Sequence, residues 1–592
     1  MQPTKKTRSC VPCHTRKLRC DATLVGTPCT RCVTNNRVGI CVLVEHRRNK
    51  NPKIRTARTI SSKEPQASTD QASNNDLHAE SQASALVQTG ENWRHAGLAE
   101  LHNPVSQEVL GVPVQGGRPL PTHNAPESDI RRIMVEYYRD FNPLTILAEG
   151  LQQPRRRGLV QEDNAFITLK SAHEREISHL DATDRAYLLQ RHVHDLPSKS
   201  VCEALVDLFF RHACAYLPIL DHIKFLEKYR QDNCSTLILY ALFVVVIPYA
   251  TSPLIRSTGY ADATAAQLEF FTRTRLLFDF GCERDELSLL QCSLLLGSFQ
   301  HTFDANKNSR FWFSNAVRLA LQMGLHKSDI EEEVDPTTYR LLRRIWWVLI
   351  QRDVLYGITG LESTRLIHDD ETDVLPVELD DFAKDPSVIG HHNDLAVQLQ
   401  RLCFQESCKL ARFGARFLDL FQKERLSPTM SQVRELDKAL KDWQVSLPQQ
   451  LNILSAASCT YSDACIVTLH LLFYQISVLF HRTVCRRLST LDSHKVAAYK
   501  QQLSDVTAQG WSFLRQAMMQ DALCFAPPFI IESIAQMIAV CIETAQKSPQ
   551  GVTQAHRSDL TVFIAYFEEM VQKWSSAKLY ARMFQAGAVV LL

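Results

Sequence analysis

Six cysteines crowd into the first 41 residues: Cys10, Cys13, Cys20, Cys29, Cys32 and Cys41, spaced C-x2-C-x6-C-x8-C-x2-C-x8-C. Each half is a CxxC pair followed by a third cysteine, so the pattern is a near-repeat. A CxxC spacing lets one turn of chain present both sulfurs to one metal ion. Zinc takes a tetrahedral shell of four ligands and thiolate sulfur suits it. Two such ions have eight coordination positions, which six sulfurs fill only if two of them bridge.

Disulfides are the competing use of these cysteines. The chain opens Met-Gln-Pro-Thr-Lys-Lys without an apolar signal segment, so a reducing compartment is expected. The twelve other cysteines lie between Cys202 and Cys541 with no CxxC pair among them. Metal binding is the expected use.

Charge is divided as sharply as cysteine. Residues 1–58 carry five lysines and nine arginines against Asp21 and Glu45, a net +12, whereas the whole chain is +2, leaving −10 for the remainder. Two zinc ions and six thiolates together add −2, so the loaded segment stays near +10. A basic head on an acidic body points to nucleic acid as partner. Between two cysteines, Cys13-His14-Thr15-Arg16-Lys17-Leu18-Arg19-Cys20 places basic side chains on a predicted short helix. So short a segment has little helical stability of its own, and metal binding supplies its folding energy. Lysine and arginine donate to O6 and N7 of guanine in the major groove. Residues 1–58 contain no Phe, Tyr or Trp, the side chains on which unpaired bases stack, so duplex DNA is favoured over single strands or RNA.

The cysteine spacing, the basic helix and Thr27-Pro28-Cys29-Thr30-Arg31-Cys32 together resemble the fungal binuclear zinc cluster. The resemblance implies two Zn2+ ions, with Cys10 and Cys29 bridging. Cys13 and Cys20 then complete one ion, and Cys32 and Cys41 the other. It also implies that the helix enters the major groove at a CGG triplet, with Lys17 reading bases and Arg16 beside it. Arg19 and His14 complete the implied DNA-contacting set; His14 stands where the family usually has arginine. Pro28 fixes the entry to the second half. Arg31 and Arg37 are read as phosphate contacts or solvated charges. A second basic run, His46 to Arg58, includes Arg47, Arg48 and Lys50; it is expected to track phosphates and to serve as a nuclear import signal.

Composition changes near residue 59. Ser61 to Trp93 is rich in Ser, Gln, Asn and Ala, and five prolines follow between Pro104 and Pro126. Such a stretch buries too little to offset its ordering, so 59–130 is predicted to be a disordered, flexible linker. Leu77, Leu86 and Val87 are the only large aliphatics from Ser61 to Trp93, and no heptad of the kind a dimerising coiled coil needs survives there. Pairing as a homodimer is then expected through the large domain, if it occurs.

Residues 131–592 are predicted to form a large all-α domain. Val201, Ala204, Leu205, Leu208 and Phe209 mark one helical face within Ser198–Tyr216. Leu237–Ile247 is apolar throughout, yet it stops at Pro248, too short for a bilayer, so no membrane is expected. A helix bearing Trp312, Ala316, Leu319, Ala320 and Met323 is predicted to end at Gly324 in Gly-Leu-His326. Arg343-Arg344-Ile345-Trp346-Trp347 follows, then Asp353 and an acidic segment from His368 to Asp381. This succession, over roughly 200–390, looks like the middle homology region of fungal zinc-cluster regulators. Trp312, Trp346 and Trp347 are read as core, His326 as a capping residue, and Arg318, Arg343 and Arg344 as partners of carbonyls or acids. Asp369 to Asp373 is read as a solvated loop before an activation segment, and the chain closes on an apolar Ala586–Leu592 rather than an acidic tail.

Catalytic signatures are absent: no GxxxxGK, HExxH, GxSxG, or GxGxxG after a strand. An enzyme is therefore not expected. The reading is a nuclear, zinc-dependent, sequence-specific regulator of transcription by RNA polymerase II. Double-stranded DNA and the transcription machinery are its partners. Its layout resembles regulators of cutinase, fatty-acid use or secondary-metabolite clusters. The alternative is a ligand-gated sensor, whose body binds a small-molecule effector along the Phe- and Leu-rich stretch from Gln267 to Phe303.

Overall fold

A computed structural model describes residues 10, 13, 20–25, 27, 29–34 and 41, then 132–137, 143, 146, 157–162 and 177–299. It continues over 308–360, 365–382, 394–422, 428–452, 461–487, 493–547, 551–574 and 576–591. The chain divides into two compact units, Met1–Asn103 and Pro104–Leu592. The predicted linker and the missing heptad lie outside the described residues.

In the first unit two single-turn helices, α1 (Ala22–Val25) and α2 (Thr30–Thr34), follow Cys20 and Cys29. The second unit begins with an antiparallel ribbon, β1 (Arg132–Tyr137) against β2 (Arg157–Glu162), with Arg132 opposite Glu162. The sequence reading did not register these strands. The rest is helical, as expected. It runs through α3 (Ala182–Gln190), α4 (Lys199–Leu208), α5 (His222–Arg230), α6 (Thr236–Val246), α7 (Ser252–Ser257), α8 (Ala263–Asp279), α9 (Glu286–Gly297) and α10 (Ser309–Gln322). It continues with α11 (Pro336–Ile358), α12 (Asp394–Gln422), α13 (Met430–Ser446), α14 (Tyr461–Arg487), α15 (Ser493–Met519), α16 (Ile530–Lys547), α17 (Gln554–Met570) and α18 (Ala577–Leu591).

Short polar side chains start many of these helices. Asp181, Asp221, Asp262 and Asp285 each accept the backbone N–H three residues on, at 2.8–3.0 Å. Asn308 does the same for Phe311, heading α10. Asp335, ahead of Pro336, accepts from both Thr337 and Thr338 and heads α11. These oxygens satisfy donors that the first helical turn leaves unpaired. At the other end of α10, Gly324 adopts φ +75°, Gly324 N–H donates to Leu321 and Leu325 N–H to Ala320 at 2.9 Å. That is a Schellman cap, where glycine's freedom at positive φ is required.

Burial sorts the apolar residues into two cores. The larger runs from Ile177 to Phe529 and includes all of α6 from Leu237 to Val246, along with Trp312, Trp346 and Trp347. The smaller gathers Tyr249, Val467 and Leu471 with residues of α15 to α18. The three tryptophans are core, as read. The stretch from Gln267 to Phe299 is packed interior as well, with Phe270, Leu277, Leu290 and Leu295 fully enclosed. Its apolarity fills the core, and Gly297 and Ser298 at its end line a cavity. The window Ala464–Arg487 in α14 is long and apolar enough to cross a bilayer, yet 78% of it is buried against other helices. Sequence inspection had weighed α6 and passed over this one.

Helix α11 organises its surroundings. It approaches α12 so closely that a Cβ at Gly414 would lie 2.6 Å from Val354 Cγ1, and one at Gly357 2.7 Å from Leu418 Cδ1. Its Arg-Arg-x-Trp-Trp side chains clasp the segment 372–382. Trp346 Nε1 donates to Thr372 Oγ1 (3.0 Å), while Trp347 Nε1 and Arg343 Nε both donate to the Leu375 carbonyl (2.7 and 3.1 Å). Arg343 also pairs with Asp381, as expected of a partner to acids, and Arg344 instead stacks over Phe382 at 5.2 Å. Arg318 binds the side-chain amides of Asn315 and Gln322 rather than carbonyls or acids of the backbone ends. One turn further along α11, Asp353 accepts from Leu366 N–H, Ile367 N–H and Arg365 Nε. Arg365, 1% exposed, also meets Asp369 and Asp419. Within the acidic run, Asp369 therefore pins a buried arginine, and Asp373 accepts from Ser328 N–H and Oγ. His326 lies buried beside Trp346, its carbonyl accepting from Asp373 N–H.

Loss of the Asp335 cap is expected to cost about 1 kcal/mol. Burial opposes ionisation of Asp335, but the Thr338 hydroxyl and amide, Lys224 and the Thr337 amide outweigh it and hold its carboxyl below the usual range. Its folded pKa lies below the unfolded one, so its contribution is complete at neutral pH and fades as pH falls through the folded value. Thermal melts of wild type and Asp335→Ala should differ at pH 7 and converge towards strongly acid pH.

Candidate nucleic-acid-binding metal centre

Among the described residues of the first unit, the buried set is Cys10, Cys13, Ala22, Cys29, Cys32 and Cys41, with Cys20 packed against them. Two short structural repeats aim the sulfurs inward. In the first half, Cys10 N–H donates to Cys20 Sγ (3.3 Å); in the second, Cys29 N–H donates to Cys41 Sγ (3.2 Å). The first cysteine of each half thus holds the third of the same half, and the sequence near-repeat is a structural one. Asp21 joins the halves: its Oδ1 accepts Thr30 N–H at 3.2 Å, and its carbonyl accepts Val25 N–H at 3.0 Å. A carboxylate at the first turn of α2 also complements the positive end of the helix. Nothing in the sequence pattern singled out Asp21 beyond its being one of two acids in the head.

The sulfurs fall into two sets. Those of Cys10, Cys13, Cys20 and Cys29 lie within 4.8 Å of one another, and so do those of Cys10, Cys29, Cys32 and Cys41. Cys10 and Cys29 belong to both. The Cys10–Cys29 and Cys10–Cys32 sulfurs are 3.7 Å apart and the Cys13–Cys29 sulfurs 3.8 Å apart. A disulfide has its sulfurs about 2.05 Å apart, and all six thiols are free. Zinc–sulfur bonds of about 2.3 Å give a tetrahedron with edges of about 3.8 Å. The sulfur spacing therefore fits zinc and excludes cystine.

Burial raises the thiols of Cys10, Cys13 and Cys32, the last to about 12, each against or alongside its neighbours' hydrogen bonds. Burial opposes ionisation at Cys29 too. There the Cys32 amide and the thiols of Cys32, Cys10 and Cys13 donate to the sulfur and hold its pKa down at about 6. Of the two thiols common to both sets, Cys29 is thus held towards the anion and Cys10 towards the neutral form, and zinc must displace protons from the raised thiols. The DNA-contacting residues inferred from the sequence, His14, Arg16, Lys17, Arg19, Arg47, Arg48 and Lys50, lie outside the described residues.

A two-layer match to known proteins accompanies this geometry. Residues 8–51 match the fungal Zn(2)-Cys(6) binuclear cluster domain, and residues 206–444 match the fungal specific transcription factor domain. The chain thus carries the two domains found together in fungal zinc-cluster transcription factors: it is a zinc- and DNA-binding transcription regulator, not an enzyme. Among its relatives, the fusaric acid cluster transcription factor FUB12 of Gibberella fujikuroi is 24% identical over 91% of this chain and 80% of its own length. Cutinase transcription factor 1 beta of Fusarium vanettenii is 26% identical over 81% of this chain and 61% of its own. The acetamidase regulatory protein of Aspergillus fumigatus is 24% identical over 80% and 63%.

Because thiols must lose protons to bind zinc, affinity is expected to rise between about pH 6 and pH 8. Calorimetric titrations of zinc into the reduced protein, run in buffers of different ionisation enthalpy, should report protons released. A pH-independent affinity without proton release would contradict the thiol states described above.

Proposed function

We propose that Cys10, Cys13, Cys20, Cys29, Cys32 and Cys41 hold two Zn2+ ions, with Cys10 and Cys29 bridging. The observation that carries this reading is the pair of sulfur sets sharing those two residues. On the ordered head, Lys17 and Arg16 meet bases of a CGG-type triplet in the major groove, with Arg19 and His14 beside them. Arg47, Arg48 and Lys50 neutralise phosphates as the chain leaves it. The protein acts in the nucleus on RNA polymerase II genes, with residues 1–58 as DNA-binding domain, 59–130 as linker and 131–592 as regulatory body. Any homodimer forms through that body, which also meets the transcription machinery. Relatives named for a metabolite cluster, for cutinase and for acetamidase frame the targets. The match to the fusaric acid cluster factor, over 91% of this chain and 80% of its own length, supports a secondary-metabolite gene cluster as the target.

Site selection from random duplex DNA tests this. Lys17→Ala should abolish triplet preference while two zinc ions per chain remain by mass spectrometry. Arg48→Ala should weaken all sequences alike and reduce the salt slope by about 0.9. Unchanged preference in Lys17→Ala, or altered preference in Arg48→Ala, would reject the assignment.

A second reading, effector control of the DNA-binding head, is supported by a cleft of about 540 Å³ where the two cores of the helical body meet. Its place differs from the Gln267–Phe303 stretch expected from sequence.

A further inference from the structure

The cleft has three lobes that share walls. The largest, about 540 Å³, lies among Tyr216, Cys403, Ser407, Thr468, Phe525 and Phe529. A second, about 420 Å³, shares Tyr216, Gln351, Ser407, Leu472 and Phe529 with the first and adds Arg352. A third, about 320 Å³, passes from Arg352 and Phe529 to Glu532. These volumes include space open to solvent, so the three lobes form a partly open cleft rather than an enclosed chamber. The backbone opens towards it irregularly: after α4 the helix continues as a π-turn over Phe209–Ala213, with Cys214 N–H donating to the Phe209 carbonyl at 2.9 Å. Such turns recur at functional sites, and this one carries Arg211 and His212 to the lining.

Chemistry of the walls restricts the occupant. Tyr216, Phe525, Phe529, Leu469 and Leu472 make most of the lining apolar or aromatic. Polar groups in the largest lobe include Gln351, Ser407 and Thr468, and Arg352 adds a cation to the other two lobes. Its guanidinium carbon lies 4.5 Å from the Phe529 ring centre and 5.8 Å from that of Tyr216. Its hydrogen bond goes to Ser298 Oγ at 3.4 Å. Among the described residues no carboxylate forms an ion pair with Arg352; Glu532 contributes only a more distant charge. A guanidinium has five N–H donors in a planar fork that matches a carboxylate. Arg211, by contrast, already pairs with Asp207 at 2.6 Å on the exposed side. His212 is neutral at physiological pH, held down to about 4 by burial, Arg211 and Lys573, and is stacked on Tyr249 and Phe525.

We propose that this cleft binds a small amphipathic carboxylic acid, its carboxylate on Arg352 and its apolar body among Phe529, Tyr216 and Leu472. The acid would contact α11, α12 and α14 of the larger core together with Phe525–Glu532, which leads into the smaller one. Occupancy would therefore tie the two cores together. The effector reading above supplies only the regulatory consequence; binding at the cleft stands apart from it.

The test uses full-length, zinc-loaded protein and 8-anilinonaphthalene-1-sulfonate, an apolar anion whose fluorescence reports enclosure. One site per chain is expected. Octanoate and 4-butylbenzoate should displace the dye, and their primary amides should do so at least tenfold less well. Arg352→Gln should weaken dye and acids tenfold or more. Thr468→Phe, which fills the largest lobe and leaves Arg352 intact, should also reduce binding, with circular dichroism and melting temperature checking the fold of each variant. Absence of dye binding, equal competition by acids and amides, or unchanged affinity in a folded Arg352→Gln protein would overturn the proposal. The acid-to-amide comparison in wild type decides even if Arg352→Gln fails to fold. DNA affinity is measured in parallel, with and without octanoate. Acid binding without any change in DNA affinity would keep the site and reject effector control alone.

Discussion

Sulfur does in the head of this protein what hydrocarbon does in its body. Of the described residues that are buried in the first unit, all but Ala22 are cysteines. A segment carrying a net +12 repels itself, and its described buried residues offer sulfur rather than hydrocarbon to hold it together. Zinc–thiolate bonding supplies the cohesion, while the head keeps its strong positive charge. The short helices α1 and α2 depend on that centre, because helices of four or five residues have no independent stability. DNA binding follows from the same division of charge.

The helical body is ordered by a different device. Helix α11 uses Arg343 and Trp347 as donors to a backbone carbonyl of 365–382, Asp353 as acceptor of backbone N–H groups there, and Trp346 as donor to the Thr372 hydroxyl. A non-helical strap is full of unpaired N–H and C=O groups, and burying it without partners would be costly. Trp347 satisfies the Leu375 carbonyl and Trp346 the Thr372 hydroxyl with their indole N–H groups, while both rings fill the core. The acidic residues of the strap take part: Asp369 meets a fully buried Arg365 and Asp373 fixes Ser328. Asp369, Asp370, Glu371 and Asp373 stay exposed, as a solvated loop requires, while Arg365, Ile367, Val374 and Val377 around them are buried.

Much of the architecture was legible from residue order. The Trp312 helix, its stop at Gly324 and the core roles of the tryptophans follow from period, cap chemistry and size, which are local properties. Two kinds of feature were not legible. The close approach of α11 and α12 rests on Gly357 and Gly414, single glycines in helical runs that look only like weak points until the partner helix is seen. The ribbon of β1 and β2 joins segments twenty residues apart whose pairing has no turn signature. Arg318 found amides instead of acids, because which long side chain meets which partner depends on neighbouring helices.

The sequence by itself determined the chemistry of the head: cysteine identity and spacing limit the metal, and the bias of charge limits the partner. It also determined that the body would be helical, through periodicity and capping residues. Only the tertiary structure decided that Cys10 and Cys29 are the sulfurs common to both sets, since membership of two sets is a matter of distance in space. It alone moved the candidate ligand cavity from an apolar stretch of sequence to the seam around Phe529. Apolar residues close together in sequence fill a core. A cavity arises where helices from distant parts of the chain fail to close on one another, as α11, α12 and α14 do beside Phe525–Phe529.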